Sequence, residues 1–139
     1  MASKVTNAAT EACLRDLLGR EGYSLNDPRG IGELGVDIVA TNGSEEIHIE
    51  VIGYKSSGPA RAKDFYEAFF RAVSRIKDGA TRYVIAMPHL ARRGLPQRAR
   101  QYGVAWSMIG ETFTGLEIWL VDVEDKVLDR SRWNDWLHS

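Results

Sequence analysis

Two acids of this chain lie inside apolar runs. Asp37 interrupts Gly35-Val36-Asp37-Ile38-Val39-Ala40, and Glu50 interrupts Ile47-His48-Ile49-Glu50-Val51. An ionised carboxylate in a buried strand is costly unless a partner offsets it. Two of them on neighbouring strands point to a divalent cation, because Mg²⁺ takes hard oxygen ligands, commonly one or two carboxylates plus substrate phosphate and water. On this reading Asp37, Glu50 and the backbone carbonyl of Val51 are the metal ligands, and the ion is Mg²⁺ or Mn²⁺. Glu11 reaches the metal, or a water on it, from the first helix. Such a centre polarises a phosphodiester, helps deprotonate the attacking water and offsets charge in the transition state. The competing reading has Asp37 capping a turn or pairing with an arginine, and Glu50 on a solvated sheet face. His48 shares the Glu50 face, where it reads as a hydrogen-bonded sheet histidine or as a ligand or base.

These side chains need a hairpin to bring them together. Residues 35–41 are rich in Val and Ile and read as a strand; residues 45–52 alternate, with Glu46, His48 and Glu50 on one face and Ile47, Ile49 and Val51 on the other. Asn42-Gly43 between them is a tight-turn signal, so the two strands form an antiparallel pair. A helix over about 5–21 carries Leu14 and Leu18 on one stripe, with Glu11 on the same stripe and Cys13 as a small core residue. Residues 23–26 read as a short strand and residues 27–32 as a Pro- and Gly-rich loop. A basic amphipathic helix spans 60–77, with Phe65, Phe69, Ala72, Val73 and Ile76 inward and Lys63, Glu67, Arg71, Ser74 and Arg75 on its other face. A strand at 81–87, one helix from Leu95 to Phe113, a strand at 115–123 and a short helical cap at 131–138 complete the chain. Trp106 belongs to the core, and Trp133 and Trp136 to a cap or interface.

The expected fold is therefore α/β, one domain over 1–139, with a mixed sheet of four to five strands flanked by helices. Composition is that of a globular protein, and no apolar run is long enough to span a membrane. The N-terminus has no signal-peptide core and the single cysteine excludes an internal disulfide, so a cytoplasmic location is expected. Net charge is −1, yet residues 55–100 hold eleven Lys/Arg against three acids, while the remainder holds seven against sixteen. That asymmetry suits a basic surface for DNA, or a set of solvated helix faces that balance through space. No Walker loop, nucleophile elbow or HExxH helix is present.

The acid of the first helix, the run Gly35-Val36-Asp37-Ile38, the strand Ile47-His48-Ile49-Glu50-Val51 and the helix Asp64-Phe65-Tyr66-Glu67-Ala68 together resemble the PD-(D/E)XK nuclease superfamily, the restriction-endonuclease-like fold. The resemblance runs from about residue 10 to residue 123. It implies a Mg²⁺-dependent phosphodiesterase with Asp37 and Glu50 as metal-binding acids and Glu11 as an accessory acid. The pattern also asks for a lysine two residues after the second acid, and here that position is Ile52. Either the lysine has migrated, with Lys55 and Lys63 as candidates, or the site is degenerate and the fold serves as a DNA-binding or assembly module. A homodimer suits the symmetry of a cut duplex.

Overall fold

The computed structural model describes residues 4–29 and 35–138. Residues 1–3, and the part of the expected 27–32 loop from residue 30 onward, lie outside the described residues.

Helix α1 (Asn7–Arg20) starts where the Thr6 hydroxyl accepts a hydrogen bond from the Ala9 N–H at 3.0 Å. Its buried face is Thr10, Cys13, Leu14 and Leu18. Strands β1 (Ser24–Leu25), β2 (Ile38–Asn42) and β3 (Glu45–Val51) follow as an antiparallel meander. Asn42 pairs with Glu45 across the turn, and Gly43 sits at φ 62°, a left-handed conformation that glycine tolerates. Helix α2 (Gly58–Ser74) is capped by Ser57 and has Pro59 in its first turn. It passes into a 3-10 turn (Arg75–Asp78) and stops at Gly79, φ 87°. Strand β4 (Tyr83–Pro88) is buried throughout and runs parallel to β3. Helices α3 (Leu95–Tyr102) and α4 (Val104–Thr112) lead to β5 (Leu116–Asp122), which is parallel to β4.

With a last strand, β6 (Val127–Arg132), the six strands form one mixed sheet in the order β1-β2-β3-β4-β5-β6. Its two faces bury separate cores. One holds Leu14 and Leu18 of α1 against Ile38, Ile47, Ile49 and Trp119. The other holds Phe65, Ala68 and Ala72 of α2, with Trp106 and Trp133, against Ile85, Met87 and Ile118. The result is a helix–sheet–helix sandwich, as expected from the pattern. Among the described residues no helix is long and apolar enough to cross a membrane.

Two features differ from expectation. The helix expected from Leu95 to Phe113 is two helices, broken at Gly103 (φ 51°, ψ −115°). Apolar spacing continues through the break because both helices pack on the same core, so periodicity alone does not reveal it. A sixth strand, β6 (Val127–Arg132), occupies the edge beside β5 and was not anticipated. Its sequence VLDRSR is mostly polar and exposed, as befits an edge strand kept from pairing further. The aromatic cap that follows is buried: Trp133 is 3% exposed and Trp136 5%.

Candidate functional site

Register brings the two acids together. Ile38 pairs with Ile49, and one step further back along the hairpin places Asp37, the residue before β2, opposite Glu50. Directly opposed residues of an antiparallel pair share a face. Asp37 is also drawn across the end of β3, where its Oδ2 accepts the Val51 N–H at 2.8 Å. Its Oδ1 accepts from the Arg29 guanidinium. The backbone behind it is held as well, since Arg15 Nη2 donates to the Asp37 carbonyl at 3.0 Å.

Glu50 is 3% exposed, so its charge is poorly solvated. Burial, and then the neighbouring Asp37 carboxylate, raise its pKa from 4.5 to about 8, against the opposing pull of Arg75 and Arg29. The Arg75 Nε lies 4.0 Å from Glu50 Oε1, while its Nη1 holds Asp78 at 3.0 Å. Burial and the second carboxyl thus outweigh the two arginines beside the pair. Glu50 borders an open cleft of about 740 Å³ also lined by Arg29, Arg71, Arg75, Lys77 and Asp78. That volume falls within the roughly 300–1,000 Å³ of small-ligand sites, so there is room for more than an ion.

The remaining expected residues lie elsewhere. Glu11 is held by Arg15 Nε at 2.8 Å, so its contact with the site runs through Arg15 and the Asp37 backbone. Lys55 pairs with Asp64 at 3.1 Å and is half-exposed. Lys63 is largely exposed and faces Glu67 at 4.0 Å. No ion pair joins either lysine to Asp37 or Glu50. Ile52, where the resemblance asks for a lysine, is 8% exposed and belongs to the core of Phe65, Ile85 and Met87. His48 bonds Glu46 Oε2 at 2.9 Å, the sheet-histidine arrangement.

Arg29 and Arg75 are the functional candidates that sequence reasoning missed. Arg75 was assigned to the solvated face of α2, but its side chain is only 14% exposed and turned toward Glu50. The signal was present: Ala68, Ala72 and Arg75 follow helical spacing on one face. Arg29 sits in a loop eight residues before Asp37, with no pattern to mark it.

The donor set fits a hard divalent cation. Two carboxyl groups face one another, and each retains lone pairs beyond the hydrogen bonds it accepts. Among the described residues no group of three or more His, Cys, Asp or Glu gathers at one point, so any ion there is completed by backbone, water or substrate oxygens.

The basic segment is partly neutralised in space. Lys55, Lys63, Arg71, Arg75, Arg82 and Arg92 each meet an acid. Among the described residues Arg61, Lys77, Arg93, Arg98 and Arg100 do not, which leaves five of the eleven bases of residues 55–100 without an ion pair.

No protein-family model matches this chain, and no curated protein matches it. Among solved structures it is similar to the crystal structure of an XisH family protein from Nostoc punctiforme PCC 73102, with a TM-score of 0.60 and 18% sequence identity, over 89% of this chain and 98% of that one. At that identity the likeness bears on the fold alone, and the fold it supports is the mixed α/β one described above.

Proposed function

We propose that this chain is a Mg²⁺-dependent nuclease that hydrolyses DNA phosphodiester bonds without the usual lysine. The observation that carries the reading is the opposition of Asp37 to Glu50, with Glu50 on the wall of a cleft lined by Arg29, Arg71, Arg75 and Lys77. Asp37, Glu50 and the Val51 carbonyl would hold Mg²⁺ or Mn²⁺, which when bound polarises the phosphodiester and helps deprotonate the attacking water. Arg71 and Lys77, which line the same cleft, would hold the DNA backbone. Arg75 takes over the electrostatic part of the lysine's task, because its guanidinium already stands beside Glu50. It stays protonated, so it stabilises developing charge and does not act as a base. Arg29 orients Asp37 until substrate and ion arrive. Glu11 acts as a positioning group through Arg15.

The test is cleavage of supercoiled, linear, single-stranded and branched DNA with Mg²⁺, Mn²⁺ or chelator. Cleavage is expected only with metal and is expected to vanish in Asp37→Ala. Arg75→Gln is expected to cut about a hundredfold more slowly, the scale for losing one donor that stabilises the transition state.

A second reading has its own observation. Both oxygens of Asp37 already accept strong donors, Arg29 and the Val51 N–H, as in a site that has settled without metal. On that reading the fold is a catalytically degenerate DNA-binding or assembly module. Wild-type protein that cuts no form of DNA, together with activity gained by Ile52→Lys, would establish it over the first. In both readings DNA affinity falls as salt is added.

A further inference from the structure

A second concavity lies at the N-terminal end of α2, whereas the Glu50 cleft lies at its C-terminal end. It is a cavity of about 180 Å³ with an apolar floor of Ile52, Phe65, Met87 and Leu95, each under a tenth exposed. A cavity of roughly 150 Å³ suffices for a single six-membered ring. Two half-buried arginines, Arg61 and Arg98, line the same cavity.

Both guanidiniums are fixed in advance. Arg61 lies 4.6 Å over the Tyr54 ring and donates to the Lys55 carbonyl at 2.8 Å. Arg98 lies 5.1 Å over the Phe65 ring and donates to the Tyr66 hydroxyl at 3.1 Å. Among the described residues neither meets a carboxylate, unlike Lys55 and Arg92 nearby in sequence. Each keeps further N–H donors for a ligand, since a guanidinium has five. Charge left uncompensated on pre-positioned forks beside an apolar, ring-sized hollow calls for a ligand that joins a flat ring to an anion.

We propose that this cavity binds a pyrimidine nucleoside monophosphate unit, the base against Phe65 and Ile52 and the phosphate between Arg61 and Arg98. The choice of a nucleotide over other ring-bearing anions rests on the proposed nuclease reading. Ile52 then has a positive role: a lysine there would place an ammonium in the floor that receives the base. The unit comes either from a free nucleotide or from a strand with one base turned out of its stack.

Titration of dTMP into the isotope-labelled full chain, read at the backbone amides of Gly53, Gly58 and Gly94 that line the cavity, tests this. The expected result is saturable shifts at those amides, with thymidine and inorganic phosphate each at least about tenfold weaker, the scale of one lost charge-assisted contact. Arg61→Gln and Arg98→Gln are each expected to weaken dTMP at least about tenfold, with partial recovery in the lysine variants. Gly94→Leu fills the hollow from a helical backbone position (φ −88°) that accepts a side chain, and is expected to abolish binding while the fold persists. Tighter binding of a pentathymidylate identifies a strand as the source; binding of dTMP alone identifies the free nucleotide. The proposal is overturned if dTMP leaves those amides unmoved at millimolar concentration, if thymidine binds as well as dTMP, or if Gly94→Leu binds like the wild type. Titration of dTMP into Asp37→Asn keeps the two ideas apart: retained binding there with no DNA cleavage by the wild type would sink the nuclease reading and leave the cavity's ligand standing.

Discussion

Replacing Glu50 by glutamine should make the protein more stable at mildly alkaline pH and should erase a pH dependence that the wild type shows. The carboxyl is buried beside Asp37, and its pKa rises from 4.5 to about 8 on folding. Below the lower value both folded and unfolded chains carry the proton, so the group contributes nothing. Between the two values the unfolded chain has lost the proton and the folded chain keeps it. Stability therefore falls as pH rises through that window, by up to about 1.4 kcal/mol per unit, and levels off above it. The full shift would cost about 5 kcal/mol, and water entering the open cleft reduces this to an expected loss of about 2–3 kcal/mol. Urea unfolding of wild type and Glu50→Gln between about pH 5 and pH 8.5 measures the difference, and taking that difference cancels whatever the two proteins share. Divalent metal should reverse the effect. Mg²⁺ competes with the proton, so its stabilisation should grow with pH, reaching about 2.7 kcal/mol at a hundredfold excess over its dissociation constant. In Glu50→Gln that increment should largely disappear. A wild type whose stability relative to Glu50→Gln is flat or rises over this range would refute the reasoning, because Glu50 would then be ionised and compensated without metal.

Three further outcomes follow from the packing. Ile52→Lys should destabilise the fold by about 3 kcal/mol in urea unfolding, since it brings an amine into the cluster of Phe65, Ile85 and Met87. Gly115→Ala should cost about 3 kcal/mol or prevent folding, because a Cβ there would stand 1.9 Å from the Thr81 carbonyl oxygen at the entry to β5. Trp106→Phe should cost about 1–3 kcal/mol in thermal or urea unfolding while leaving metal binding intact: it removes one of two reciprocal bonds, Trp106 Nε1 to the Trp133 carbonyl and Trp133 Nε1 to the Trp106 carbonyl, both 2.9 Å, but lies outside the acid pair.

The hairpin was legible because its information is local. The alternation of residues 45–51, the Asn42-Gly43 turn and the apolar run before it together determine a register, and the register alone opposes Asp37 to Glu50. The helix–sheet–helix layering was legible from periodicity for the same reason. What escaped was non-local or unpatterned. Strand β6 is an exposed polar edge, without the apolar alternation that marks a half-buried strand. The break at Gly103 sits inside a continuous apolar spacing. The cations beside the acids come from a loop and from the end of α2. Arg75 was misread because basic residues on a helix were assumed to face water, although helical spacing puts it on the Ala68–Ala72 face. The charge count over residues 55–100 was right in sequence, but about half of those bases meet acids that folding brings near, such as Asp129 for Arg92 and Glu117 for Arg82. Lys55 and Lys63 were candidates by proximity in sequence, and each has an acid of its own on or beside α2.

A crystal soaked in Mn²⁺ and read by anomalous scattering tests the central claim most directly. The account predicts a peak in contact with both the Asp37 and Glu50 carboxylates, with Arg29 displaced from Asp37 Oδ1 or sharing it. No peak at these acids at millimolar Mn²⁺ above about pH 8, with Arg29 still seated on Asp37, would contradict it.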